Sequence, residues 1–393
     1  MFAFDNCLLD PPRREFSRDG VRVPLEPQVF DLLEYLVRCR DRVVTRDDLL
    51  AHVWSRRVVS DSTISVRINA ARRAIGDTGE GQRLIRTVPR KGFRFVAPVL
   101  ETDKVDSTRA VRDEAAQKVL FCRTSDGVNI AVATLGQGPV VVRTATWLNH
   151  LEYEWQSPIR RPLLDFLSAR FRLVRYDGRG NGLSDWNVSR ISFDGFLDDL
   201  ETAIQVLGLK RYALMGVSQG APIALAHAAR YPERVTKLVL HGGYARGRAR
   251  RLSASENETA DALLTIMRRG WADEGSAFLR AFSSLYLPGA SHEQIGWFAD
   301  LQRNAASAEN AVSLRAACDE IDVVDLLSLV RAPTLVTHSR RDGVVPFEEG
   351  RSLAAAVPGA KFLPLDSNNH ILMADESAWP VFIGEIEAFL SMP

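Results

Sequence analysis

The spacing of apolar positions changes character after roughly the first hundred residues. Before that point three stretches carry helical spacing: Pro27–Arg40, with Phe30, Leu33, Tyr35 and Leu36 inward, then Thr45–Val53, then Asp61–Ile75. In the third, Ile64, Ile68, Ala71 and Ile75 recur at i, i+4, i+7 and i+11 and share one face. Thr45, followed by Asp47 and Asp48, predicts an N-cap with acidic residues in the first turn. Gly76 predicts a stop after the third helix. One strand is predicted near Val21–Leu25, and a hairpin at Arg83–Val88 and Phe93–Val96 around Pro89-Arg90-Lys91-Gly92.

From about residue 118 the rhythm is strand then helix. Buried-strand candidates are Val140–Thr144, Arg172–Tyr176, Tyr212–Met215, Lys237–Leu240, Thr334–His338 and Lys361–Pro364. That alternation predicts an α/β fold with a mostly parallel, doubly wound sheet. The interval at about 244–330 is mainly helical with no clear strand and reads as an insertion above the sheet edge. Between the two rhythms lies a polar, charged stretch without an apolar period. The expected division is therefore a domain at 1–99, a linker at 100–117 and a domain at 118–393.

Length agrees, since 393 residues are too many for one ordinary core. Net charge is only +1, but it is unevenly spread. Residues 1–99 hold 18 Lys/Arg against 13 Asp/Glu, about +5, so the remainder carries about −4. A basic head on a mildly acidic body fits a DNA-binding module joined to something else. The four cysteines, Cys7, Cys39, Cys122 and Cys318, show no paired spacing and read as reduced thiols of a cytoplasmic protein. No apolar run is long enough to span a bilayer, and the start shows no signal-peptide pattern.

On the third helix the face opposite the isoleucines carries Ser62, Val66, Asn69 and Arg73, flanked by Ser65 and Arg72, with Arg67 to the other side. Arg and Asn suit base edges or phosphates, and an outward Val suits thymine methyls. Arg86, Arg90 and Lys91 lie near the hairpin tip, placed for phosphates or the minor groove. A solvated basic face would show the same pattern. The segments ISVRINAARRAI and IRTVPRKGFRFV, with Gly92 and Phe93 in the wing, resemble the winged helix-turn-helix domain of the OmpR/PhoB response-regulator family, especially its CadC/ToxR-like relatives. The resemblance implies double-stranded DNA as partner, with the third helix in the major groove and the wing on the flanking backbone. Ala70 departs from the basic residue of many members, so no base preference carries over. No receiver domain precedes this head in the sequence, and no membrane span follows it, unlike CadC-type proteins.

In the second region Gly216-Val217-Ser218-Gln219-Gly220 sits between the strand RYALM and the helical stretch APIALAHAARY. A G-x-S-x-G in that setting places serine on a tight strand-to-helix turn, at the N-terminus of a helix. Asp342 follows the strand TLVTHS, and His370 follows KFLPL, in the order Ser, Asp, His. His52, His227, His241 and His338 sit within helical patterns or at strand ends and read as structural. His150 and His292 are candidates for a pocket wall. Asp366 is the rival acid and reads better as turn chemistry.

Residues from about Lys118 to Pro393 resemble the α/β-hydrolase superfamily. The match extends to DGRGNGLS at 177–184, which the resemblance implies is structural, and to a cap at about 244–330. One feature departs from it. Where most members have His-Gly before the oxyanion-hole residue, this chain reads Arg143-Thr144-Ala145-Thr146-Trp147-Leu148. By position the oxyanion donors are the backbone N–H groups of Trp147 and Gln219, with an exposed Trp147 side chain walling the acyl pocket. The chemistry expected is attack of Ser218 on an ester or lactone carbonyl, then hydrolysis of the acyl-enzyme by His370-activated water. It requires no cofactor, and no metal cluster is apparent.

The leading expectation is a transcriptional regulator whose hydrolase domain binds and hydrolyses a small ester or lactone. The same residues fit a regulator whose hydrolase fold is only a receptor, and an esterase with an accessory winged helix. Operators for such heads are often repeats, so a homodimer is expected.

Overall fold

The computed structural model describes residues 2–11, 15–18, 21–23, 25–53, 61–89, 91–101, 117–251, 262, 264–271 and 276–392. The chain forms two compact units, Met1–Val111 and Arg112–Pro393. Most of the expected linker at 100–117 lies outside the described residues. Leu100–Glu101 do not, and they form a strand of the first unit.

That unit opens with β1 (Phe2–Phe4), β2 (Cys7–Asp10), β3 (Glu15–Arg18) and β4 (Val21–Arg22). Three helices follow, α1 (Pro27–Arg38), α2 (Arg46–His52) and α3 (Asp61–Ala74), then the wing strands β5 (Ile85–Val88) and β6 (Gly92–Phe95), and β7 (Leu100–Glu101). The sheet order β4-β3-β2-β1-β7 is antiparallel throughout. Ile64, Ile68, Ala71 and Ile75 all enter the core with Leu32, Leu33, Leu36 and Phe95, as their spacing requires. The expected cap on α2 is a capping box: Thr45 Oγ1 accepts from the Asp48 N–H at 3.1 Å, and Asp48 Oδ2 from the Thr45 N–H at 2.9 Å.

Gly92 has a steric reason to be glycine. Its φ is +142°, and a Cβ there would lie 2.0 Å from the Val44 carbonyl oxygen. That approach lets Phe93 and Val44 exchange hydrogen bonds of 2.8 and 2.9 Å, docking the wing on the connection before α2.

The second unit is built on an eight-stranded sheet. Its strands are β8 (Lys118–Arg123), β9 (Asn129–Leu135), β10 (Val140–Arg143), β11 (Arg172–Tyr176), β12 (Tyr212–Val217), β13 (Val235–His241), β14 (Thr334–Ser339) and β15 (Lys361–Leu365). The order is β15-β14-β13-β12-β10-β11-β9-β8, with β10 to β15 mutually parallel and the β8–β9 hairpin antiparallel at one edge. One apolar core lies against helices Phe193–Val206 and Gly220–Arg230, and another against Arg161–Ser168 and Trp379–Ser391. The 244–330 interval is helical as expected, with Ala277–Tyr286, His292–Ala305 and Ala308–Asp319 its longest described helices. No described helix is long and apolar enough to cross a membrane.

Candidate functional site

Ser218 follows the C-terminal end of β12 at φ +54°, one of three described non-glycine residues with positive φ. Such a backbone costs on the order of 1–2 kcal/mol and persists only where surroundings enforce it. They do so here: a Cβ on Gly216 would meet the Gly220 carbonyl at 2.7 Å, and one on Gly220 would meet Thr144 Oγ1 at 2.4 Å. The Ser218 N–H is held by the His241 carbonyl at 2.9 Å.

Asp342 and His370 come from the loops after β14 and β15. His370 Nδ1 donates to Asp342 Oδ2 at 2.6 Å, while Asp342 Oδ1 accepts the N–H groups of Val344 and Val345 at 2.8 and 3.0 Å. Burial pushes the Asp342 carboxyl up, but the facing imidazole and these donors outweigh it and leave the group below the usual range. His370 Nε2 is buried without a hydrogen-bond partner among the described residues. Ser218, Gln219, Trp147 and His370 line one cavity, with Thr146, Leu148 and Tyr286 among its other walls.

Two neighbours of Asp342 and His370 escaped the sequence. His338 Nε2 donates to the Val345 carbonyl at 3.0 Å and lies 3.6 Å from Asp342 Oδ2, and burial holds its pKa down. Tyr286, from the helix Ala277–Tyr286, accepts the His370 N–H on its carbonyl at 2.8 Å and sets its ring edge-on to the imidazole, centroids 5.6 Å apart. His338 stands four residues before Asp342, the only local cue; Tyr286 left none.

Trp147 corrects an expectation, for its side chain is buried rather than exposed. Its Nε1 donates to the Ala311 carbonyl at 3.1 Å, and its ring packs among Trp271, Phe282 and Tyr286 at 5.6–6.2 Å. Residues after β10 are covered by the helical insertion, which a strand-by-strand reading could not see. His150 caps the helix Leu151–Trp155, and neither it nor His292 lines the cavity. Asp366 is an exposed partner of Arg341 at 2.9 Å.

The 177–184 segment is structural in its contacts. Asp177 Oδ2 accepts from Leu151 and Leu183 N–H groups at 3.1 and 2.9 Å. Arg179 is clamped between Asp199 at 2.9 Å and Asp126 at 2.6 Å.

On α3, Ser65, Val66, Asn69 and Arg73 are exposed, as is Lys91 on the wing. The backbone at Ser62 is helical, its side chain lies outside what is described, and so does Arg90 altogether. Arg72 is a correction: it is 5% exposed, its Nε and Nη2 donating to the Ile85 carbonyl at 3.2 and 2.9 Å and Nη2 also to Thr87 Oγ1 at 2.9 Å. Sitting next to Ala71 and four residues after Ile68, it falls on the inward flank and ties α3 to the wing. Arg67 is half-buried and paired with Glu26 of the turn before α1. Asp77, unremarked in the sequence, gathers the N–H groups of Thr78, Arg83, Leu84 and Ile85, each at 2.9 Å, and so starts β5.

Comparisons with known proteins match the two parts of the chain separately. Residues 20–95 match the family model described as transcriptional regulatory protein, C terminal, and residues 149–274 that of the alpha/beta hydrolase fold. The transcriptional activator CadC of Escherichia coli (strain K12) is 32% identical over 94 residues, 24% of this chain and 18% of that protein. The AB hydrolase superfamily protein YisY of Bacillus subtilis (strain 168) is 26% identical over 255 residues, 64% of this chain and 91% of that protein. Among solved structures, an esterase from Exiguobacterium antarcticum shares the fold with a TM-score of 0.60 at 24% identity, spanning 70% of this chain and all of that one. The chain thus joins a DNA-binding winged helix of the OmpR/PhoB transcriptional-regulator type to a domain of the α/β-hydrolase fold.

Proposed function

We propose that this protein is a cytoplasmic transcriptional regulator whose hydrolase domain binds and hydrolyses a small ester or lactone through an acyl-enzyme on Ser218. The observation that carries this reading is the 2.6 Å contact of His370 Nδ1 with Asp342, which leaves a buried Nε2 without a partner in the cavity that Ser218 lines. An ionised carboxylate can only accept, so Nδ1 bears the proton and Nε2 is the basic nitrogen. In this reading Nε2 takes the Ser218 proton as Oγ attacks the carbonyl. The resulting oxyanion is met by the N–H groups of Trp147 and Gln219, the latter at the start of the helix Gly220–Arg230. His370 then returns the proton to the leaving alcohol and activates water for deacylation. Asn69, Arg73 and Lys91 are the contacts to double-stranded DNA, with Ser65 and Val66 beside them and the protein acting as a homodimer.

The test is hydrolysis of short- and medium-chain p-nitrophenyl esters and a homoserine lactone by the full chain and by Ser218→Ala. Turnover lost with the serine supports the acyl-enzyme. Wild-type turnover no higher than that of Ser218→Ala, in folded protein, replaces this reading with that of a ligand receptor. Sedimentation that finds only monomer, with and without operator DNA, removes the dimer.

A further inference from the structure

The cavity that holds Ser218 is lined by four guanidinium groups, Arg160, Arg248, Arg251 and Arg315, and among the described lining residues by one carboxylate, Asp319. Asp319 serves two of them, Arg248 at 2.6 Å and Arg315 at 3.1 Å. Arg251 reaches Glu349 only at 3.6 Å, and Arg160 reaches Glu154 only at 3.7 Å. Glu154 is already held by Arg143 and Arg175, each at 2.9 Å. The Nε atoms of Arg160, Arg248 and Arg251 are buried and have no hydrogen-bond partner among the described residues.

Structural pairing therefore leaves positive charge and donors unmatched inside the fold, which is costly unless something else supplies the anion. Two of these groups are also fixed in orientation by aromatic faces. Arg315 lies 5.7 Å from the Trp147 ring centroid, and Arg251 lies 5.5 Å from that of Tyr244. Guanidinium forks held in this way suit a planar carboxylate. The rest of the wall is largely apolar, with Val217, Phe298, Leu301 and Ile371.

We infer that the substrate is an anionic ester or lactone: a carbonyl for Ser218, an apolar spacer, and a carboxylate received by Arg248, Arg251 and Arg315. This rests on the reading of Ser218 as the nucleophile and adds the substrate class to it.

The experiment compares kcat/KM of the full chain for p-nitrophenyl hemiesters of succinic, glutaric and adipic acid with uncharged p-nitrophenyl esters of matching length. At least one hemiester is expected to be preferred by about tenfold or more, the discrimination of one charge-assisted contact. Arg251→Met is expected to narrow that ratio about tenfold, and Arg251→Lys to restore part of it. Because the ratio is the readout, a general loss of folded enzyme cancels. Uncharged esters preferred throughout, or a ratio that Arg251→Met leaves in place, overturns the anionic subsite while the hydrolase reading stands. Should no ester turn over, the hydrolase reading falls, and the subsite is decided by free glutarate. A rise in Tm for wild type that Arg251→Met lacks upholds it, and no rise for either overturns it.

Discussion

Two regions of this protein are rich in arginine, and they use it in opposite ways. Along α3 the buried guanidinium is the satisfied one: Arg72 finds the Ile85 carbonyl and the Thr87 hydroxyl, while Arg73 stays exposed. In the cavity that Ser218 lines the guanidiniums are inside the fold yet outnumber their counter-charges among the described residues. Exposure alone would single out the proposed DNA contacts and miss the cavity. What separates a structural arginine from a binding one is whether its donors are already spoken for.

Four substitutions probe that distinction. The largest effect is expected at Asp342, whose oxygens are all engaged by His370, Val344 and Val345. Asp342→Asn permits the wrong imidazole tautomer and should lower kcat for a p-nitrophenyl ester by about 10⁴-fold. A loss under about tenfold would mean that the carboxylate does not orient the base.

Next is Glu154, which pairs with Arg143, Arg160 and Arg175. Burial raises its pKa, and the three guanidiniums overcome this and bring it to about 2. Glu154→Gln should cost the hydrolase domain about 3–5 kcal/mol in urea denaturation, because it strands those charges. The group's folded pKa is below its unfolded value, so its contribution is complete above about 4.5 and disappears as pH falls toward about 2. The variant should therefore lack that part of the acid limb, and an unchanged limb would refute the assignment.

Smaller effects belong to the head. Arg72→Met should destabilise it by about 1–3 kcal/mol, since the Ile85 carbonyl and Thr87 hydroxyl lose their donor. A head that melts like wild type would return Arg72 to the DNA-facing set. Arg73→Ala should leave melting nearly unchanged and, for a phosphate contact, lower the slope of log affinity against log salt by about one. A wild-type slope in filter binding would remove Arg73 from the interface.

The helices of the head and the six parallel strands of the hydrolase sheet were legible because their burial is periodic or continuous, and residue type records burial directly. The β8–β9 hairpin was not. β8 carries the apolar run Val119–Cys122, yet none of its residues is fully buried and half are exposed, so residue type there does not record burial. Strands of two to four residues in the head sheet are likewise too short to establish a period. For the site, Ser218, Asp342 and His370 were legible because each sits in a turn whose local sequence is constrained. Tyr286 and the cavity arginines depend on segments distant in sequence meeting above the sheet, whereas His338 lies beside Asp342 in the chain but reads as an ordinary strand-end histidine. Arg72 was misplaced by a rotation of one position on a helical wheel, enough to carry a long side chain from the surface to the core.

β7 makes the head's first and last strands neighbours, Phe2 pairing with Glu101 and Ala3 with Leu100. On the ribosome, then, one edge of β1 stays bare until the hundredth residue has cleared the exit tunnel. A protease cut or gene truncation just after Ala97 would keep every helix and the wing. It would also leave an unpaired strand edge beside Phe2 and Phe4, an invitation to self-association.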